Sequence, residues 1–166
     1  MGTLKHSLVE DRVIFGEGTA KEQWLKAFKE QPLAALDLEL FRSKRVVIVA
    51  PHPDDEVLGC GGLMQQLIAL NCKILVLAVS NGTQSHPNST KYSPDQLNTL
   101  RPQESLAALN YLGVAESTEH IELNLLDGQI HLQTEQLWQS LSKLVQANDI
   151  LICSYEFDGH PDHEAV

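Results

Sequence analysis

The chain has 166 residues, 43% of them apolar, and its 22 acidic side chains against 12 basic ones give a formal charge of −10 at pH 7. A length of this order buries one useful core and argues against two independent domains. So negative a field repels polyphosphate backbones, which makes nucleic acid and anionic membrane poor partners. The three cysteines, Cys60, Cys72 and Cys153, are far apart and form no CxxC pair, so they read as reduced thiols rather than a disulfide framework or a sulfur-ligated zinc site. The opening MGTLKHSLVEDRV lacks the apolar run of a secretion signal, and no stretch of about 18 apolar residues occurs after it. A soluble, cytoplasmic protein without membrane insertion is expected; homo-oligomerisation is left open.

In chain order, residues 1–44 hold 7 of the 12 basic residues and differ in character from the rest of the chain. Trp24, Leu25, Phe28, Leu33, Leu36, Leu38 and Phe41 recur at helix-like spacing between Thr19 and Arg42, with Pro32 separating two short helices. This segment is expected to be a helical N-terminal extension to a domain covering 45–166. RVVIVAP, 45–51, is a β-branched run of the kind that a strand buried on both faces of a parallel sheet requires. A helix is expected after the glycines, because Leu63, Leu67 and Leu70 form one stripe that ends near Asn71. KILVLAVS, 73–80, gives a second buried strand, completing a right-handed βαβ unit.

Residues 81–93, NGTQSHPNSTKYS, have the composition of a loop. A helix through 103–112 carries Leu106, Leu109 and Leu112 and ends at Gly113; Pro102 is tolerable only in its first turn, so the helix starts near Thr99 to Arg101 or is kinked there. A short strand near 120–123, a turn at Leu126-Asp127-Gly128, a helix around 134–147 and a last buried strand at 149–154 complete the series. Strands alternating with helices predict a doubly wound, Rossmann-like α/β layer fold with a mostly parallel sheet.

In such a sheet ligands collect beyond the carboxyl ends of the strands. His52-Pro53-Asp54-Asp55 directly follows the first strand and His160-Pro161-Asp162-His163 follows the last one, so the fold could bring together segments more than a hundred residues apart. Between them they offer imidazole and carboxylate ligands of the sort that a catalytic zinc takes, on turns stiffened by proline. Each string alone has a plainer reading, as a turn or as an acidic patch on a helix N-terminus.

APHPDDEVLGCGG, 50–62, resembles the opening motif of the PIG-L/LmbE-like de-N-acetylases, and HPDHEAV, 160–166, resembles the second motif of that family. SNG at 80–82, Arg101-Pro-Gln-Glu104 and LLDG at 125–128 follow the same order. The resemblance implies a Rossmann-like domain and zinc-dependent removal of the acetyl group from N-acetylglucosaminyl conjugates, with a small-molecule N-acetylated amino sugar as partner. Residue by residue, it implies His52, Asp55 and His163 as the Zn2+ ligands. Asp54 would be the general base that passes a proton from water to the leaving amine. His160 would polarise the carbonyl or stabilise the oxyanion, with Asp162 orienting a histidine behind it.

By the same matching, Arg101, Asp127 and Asn81 are candidate substrate contacts. Arg101 could equally pair with Glu104 on the surface, and an Asp-Gly pair is a turn signal first. Trp24 and Trp138 read as packing residues. Family members generally continue past the second motif, so the domain is expected to be cut short at its C-terminal end.

Two rivals remain in view. In a dinucleotide-binding protein the glycines 59, 61 and 62 would need to spell GxGxxG, which they do not. A non-catalytic carbohydrate-binding or scaffold domain with a retained metal would have no need of Asp54.

Overall fold

The computed structural model describes residues 19–155, 157 and 159–166. The chain divides into two compact units, Met1–Leu40 and Phe41–Val166. In the first unit, helix α1 (Lys21–Glu30) stacks Trp24 on Phe28 with ring centroids 5.7 Å apart, and Trp24 stays half exposed. The part of the N-terminal extension that falls within residues 1–18 lies outside the described residues.

The second unit is built on four parallel strands, β1 (Arg45–Ala50), β2 (Lys73–Ser80), β3 (Thr118–Leu125) and β4 (Ile150–Ile152), in the order β3-β2-β1-β4. The chain starts in the middle of the sheet, winds outward through β2 and β3, and returns to the other side of β1 for β4. Topology of this kind places its switch point between β1 and β4, where the loops on the carboxyl side diverge and leave a crevice. β1 and β2 are central, and their β-branched and leucine side chains are buried on both faces.

On one face Val47, Val49, Leu75, Leu77 and Val79 pack with Leu125, Ile130 and Leu137, the last carried by helix α4 (Thr134–Leu144). Alternation sends Ile48, Ala50, Val76 and Ala78 to the other face, where helix α2 (Asp55–Ala69) lies against β1 and β2 and beside helix α3 (Pro94–Tyr111). Arg45 ties the start of β1 to the turn before β4, donating to Asp149 Oδ2 at 2.6 Å and to the Leu144 carbonyl at 2.7 Å.

Three boundaries differ from expectation. Helix α2 does not wait for the glycines; it begins at Asp55 and carries Gly59, Gly61 and Gly62 inside it. Gly61 lies close to α3's end, where a Cβ would stand 3.1 Å from the Leu112 side chain and would require it to give by a few tenths of an ångström. The helix ends on Asn71 at φ +58, with Cys72 N bonded to Leu67 O and Asn71 N to Ile68 O, a Schellman closure.

Helix α3 begins well before Pro102, at Pro94, under a capping box in which Ser93 and Gln96 serve each other's backbone amides. Pro102 sits in its interior with the ring buried. It leaves one rung of the helix ladder without a donor, and Gly113 at φ +72 closes the helix as expected. The last strand spans only three residues, and Trp138 is 66% exposed rather than packed. No described helix is long and apolar enough to cross a membrane.

Candidate active site

Every polar residue singled out in the sequence lies at or beyond the carboxyl edge of the sheet. β1 leads into His52 to Asp55, β2 into Asn81 and Gly82, β3 into Asp127, and β4 into His160 to His163. The ends of β1 and β2 are locked together, because both the amide and the hydroxyl of buried Ser80 donate to the Pro51 carbonyl, at 3.1 and 2.8 Å.

At the centre, His52 Nδ1, His163 Nε2 and Asp55 Oδ2 form a near-equilateral triangle with sides of 3.2, 3.4 and 3.5 Å. Two ring nitrogens and a carboxylate oxygen this close together are a donor set that could hold a transition-metal ion. Tetrahedral zinc with bonds of about 2.0–2.1 Å holds its ligands about 3.3–3.4 Å from one another, so the separations fit. Asp55 Oδ2 is steadied by the His52 amide at 2.9 Å, and Ser154 Oγ donates to the His163 carbonyl at 3.0 Å.

Behind the triangle, His52 Nε2 faces Asp127 Oδ1 at 3.2 Å and Asp162 Oδ2 at 3.3 Å. Asp162 is fully buried and also accepts from the amides of Gly128 at 2.7 Å and Ile130 at 2.9 Å; Asp127 accepts from the Gln84 amide. The turn at 126–128 is thus clamped to the second histidine segment, and both carboxylates fix the side of the His52 ring that carries its proton. Burial pulls the His52 pKa down, but its bonds to Asp127, Asp162 and Asp55 outweigh that and raise it to about 11. Burial likewise pushes the three carboxyls up, and their bonds to His52 bring each below the usual carboxylate range.

A second combination, His52, His160 and Asp162, also has the makings of a metal site. With its two oxygens already serving two amides and His52, Asp162 reads better as an anchor than as a ligand.

Asp54 stays outside the triangle. Its carboxylate is half exposed and accepts from Arg101 Nη2 at 3.0 Å. Burial of the loop pushes its pKa up, against the pull of Arg101. Arg101 also donates to the Pro53 and Gly82 carbonyls, at 3.0 Å each, so it closes the rim by joining the β1 and β2 loops. His160 stands over the group, with ring centroids 4.9 Å from His52 and 4.7 Å from His163, and its Nδ1 accepts from the Asp162 amide.

Asn81 is buried a strand further out, donating to Asn98 Oδ1 at 3.2 Å and Asn124 Oδ1 at 3.0 Å. Ser105 was not foreseen: it reaches from α3 to the buried carboxylate of Glu56. Nothing in its local sequence separates it from any other helical serine. A cavity of about 360 Å³ adjoins the triangle, lined in part by Asp55, Leu58, Cys153, Tyr155 and His163.

A doubly wound α/β fold with a candidate metal centre at its switch point is the class these features define. The chain belongs to the PIG-L family, described as GlcNAc-PI de-N-acetylases, whose pattern matches residues 47–166. An uncharacterized deacetylase of Escherichia coli K12, YaiS, is 26% identical over 132 residues, covering 75% of this chain and 65% of that protein. The 1D-myo-inositol 2-acetamido-2-deoxy-alpha-D-glucopyranoside deacetylase of Corynebacterium glutamicum is 29% identical over 146 residues, covering 72% and 49%.

Among solved structures, N,N'-diacetylchitobiose deacetylase from Pyrococcus horikoshii superposes with a TM-score of 0.61 at 21% identity, over 91% of this chain and 57% of that one. The conserved protein TT1542 from Thermus thermophilus gives 0.54 at 31% identity, over 72% and 50%. The chain therefore spans between about half and two thirds of these relatives.

Proposed function

We propose that this chain carries the catalytic centre of a zinc-dependent hydrolase that removes the acetyl group from the nitrogen of an N-acetylglucosaminyl-type conjugate. The observation that carries the proposal is the His52/Asp55/His163 triangle with Asp54 beside it but outside it. Two relatives are named for substrates that share a 2-acetamido sugar, although one is an inositol conjugate and the other a disaccharide. That shared group is the one we assign to this site.

His52, Asp55 and His163 would hold the metal. Zinc bound there supplies a Lewis acid for the amide carbonyl and lowers the pKa of water to about 7. Asp127 and Asp162 keep the proton of neutral His52 on Nε2, so that the Nδ1 lone pair faces the triangle. Asp54, its carboxylate aimed by Arg101, takes a proton from the attacking water and returns it to the amine as the C–N bond breaks. His160 donates to the oxygen on which negative charge develops.

Asp127 and Asn81 were also candidates for sugar contacts. We assign Asp127 first to His52 and Asn81 to securing the end of β2. Arg101 retains two of its five N–H donors for a substrate oxygen. The test is acetate release from a panel of N-acetylglucosaminyl conjugates, diacetylchitobiose and an inositol glycoside among them, with and without chelator. Release that stops on chelation and returns with zinc is expected; no release from any member would overturn the proposal.

A further inference from the structure

Resting on that reading of Asp54, we propose that Glu56 and Ser105 are positioning residues, which hold the Asp54 backbone in register so that its carboxylate meets the water. Glu56 lies in the first turn of α2 with only 1% of its surface exposed. A carboxylate buried to that extent is costly unless donors serve it. Here two do, and both belong to this device: Ser105 Oγ donates to Oε1, and the Asp54 amide donates to Oε2 at 3.2 Å. The Asp54 amide is shared with the His52 carbonyl at 3.0 Å, so Glu56 is its second acceptor.

The other end of Asp54 is held from the same helix. Arg101 and Ser105 are four residues apart in α3 and so share one face. Arg101 grips the Asp54 carboxylate and the Pro53 carbonyl, while Ser105 acts through Glu56 on the Asp54 amide. None of these four contacts touches the triangle, whose members are steadied by the His52 amide, Ser154, Asp127 and Asp162. Beside the bond from its amide to the His52 carbonyl, Asp54 is thus held from α3, by Arg101 directly and by Ser105 through Glu56, whereas the side chains of the triangle have their partners elsewhere. Loss of the α3 side is expected to spare metal binding and to impair proton transfer.

The test compares Ser105→Ala, Ser105→Thr and Glu56→Met in the zinc-loaded full chain, with diacetylchitobiose as substrate. Glu56→Met keeps about the length of the side chain and removes both acceptor oxygens, so that it serves neither Ser105 nor the Asp54 amide. We expect Ser105→Ala and Glu56→Met to keep full zinc content and KM within about twofold while kcat falls about tenfold, as a small misplacement of the base demands. Ser105→Thr, which retains the hydroxyl, should restore kcat to within about threefold. In the same proteins, hydrogen exchange of the Asp54 amide should quicken about tenfold in the first two variants alone.

Wild-type kcat and Asp54 exchange in Ser105→Ala, or in Glu56→Met should the alanine variant not fold, would overturn the inference. So would a loss of kcat that follows loss of zinc. If the unaltered chain releases no acetate, the functional reading fails, and the exchange rates alone decide whether Glu56 and Ser105 hold Asp54.

Discussion

At the carboxyl edge, both ring nitrogens of His52 have polar partners: Asp55 and His163 on its Nδ1 side, Asp127 and Asp162 on its Nε2 side. Three carboxylates around one imidazole make the ring a strong base, and a proton on it balances charge that a divalent ion would otherwise balance. A metal must displace that proton from the Nδ1 side, and the remaining one stays on Nε2. His163 completes the triangle from the far end of the domain, where its own side chain is only partly buried. His163→Ala should therefore leave the fold intact and lower zinc content to well under half an ion per chain by elemental analysis. Full occupancy in that variant would show that another ligand completes the site.

At the scale of elements, the rim depends on Gly82. Its φ of +64 suits glycine, and a Cβ at that position would overlap the Arg101 guanidinium. Gly82→Ala must strain the backbone and push Arg101 away from Gly82 O, Pro53 O and Asp54 at once. A loss of about 1–3 kcal/mol in urea unfolding is expected, together with a larger loss of turnover than of zinc affinity. Unchanged stability and turnover would mean that Arg101 is not holding the loops.

The same contact shows what could be foreseen. RVVIVA and KILVLAVS read as central strands because burial on both faces leaves its mark in each run, and that places His52 to Asp55 and Asn81, which follow them, at the carboxyl edge. The start of α2 could not, since glycine weakens a helix locally and the approach of Leu112 to Gly61 is a tertiary fact. The start of α3 was hidden for a related reason: Ser93, Pro94 and Gln96 form a good cap, but they close a polar loop whose composition masks it. Ser105 and the bond from Asp127 to His52 depend on which helices and loops meet, and no spacing in the chain encodes that.

For the whole molecule, the cluster ties stability to pH and metal. In the metal-free chain the raised His52 pKa contributes stability that is complete below about pH 6.5 and is lost as pH rises towards about 11. The lowered pKa values of Asp55, Asp127 and Asp162 contribute stability that is complete above about pH 4 and is lost on further acidification. Metal-free protein should thus be most resistant to urea between about pH 4 and 6.5. Zinc, which needs His52 without its second proton, should move the optimum upward. A metal-free stability that climbs through pH 8 would contradict this coupling.

The central claim is that metal binding and proton transfer belong to different residues of the same short loop. It is tested most directly by measuring acetate release and zinc per chain on the same samples of Asp54→Asn and unaltered protein. Equal zinc in both is expected, with turnover lower by about a hundredfold or more in the variant. Unchanged turnover, or zinc lost along with it, would contradict the separation.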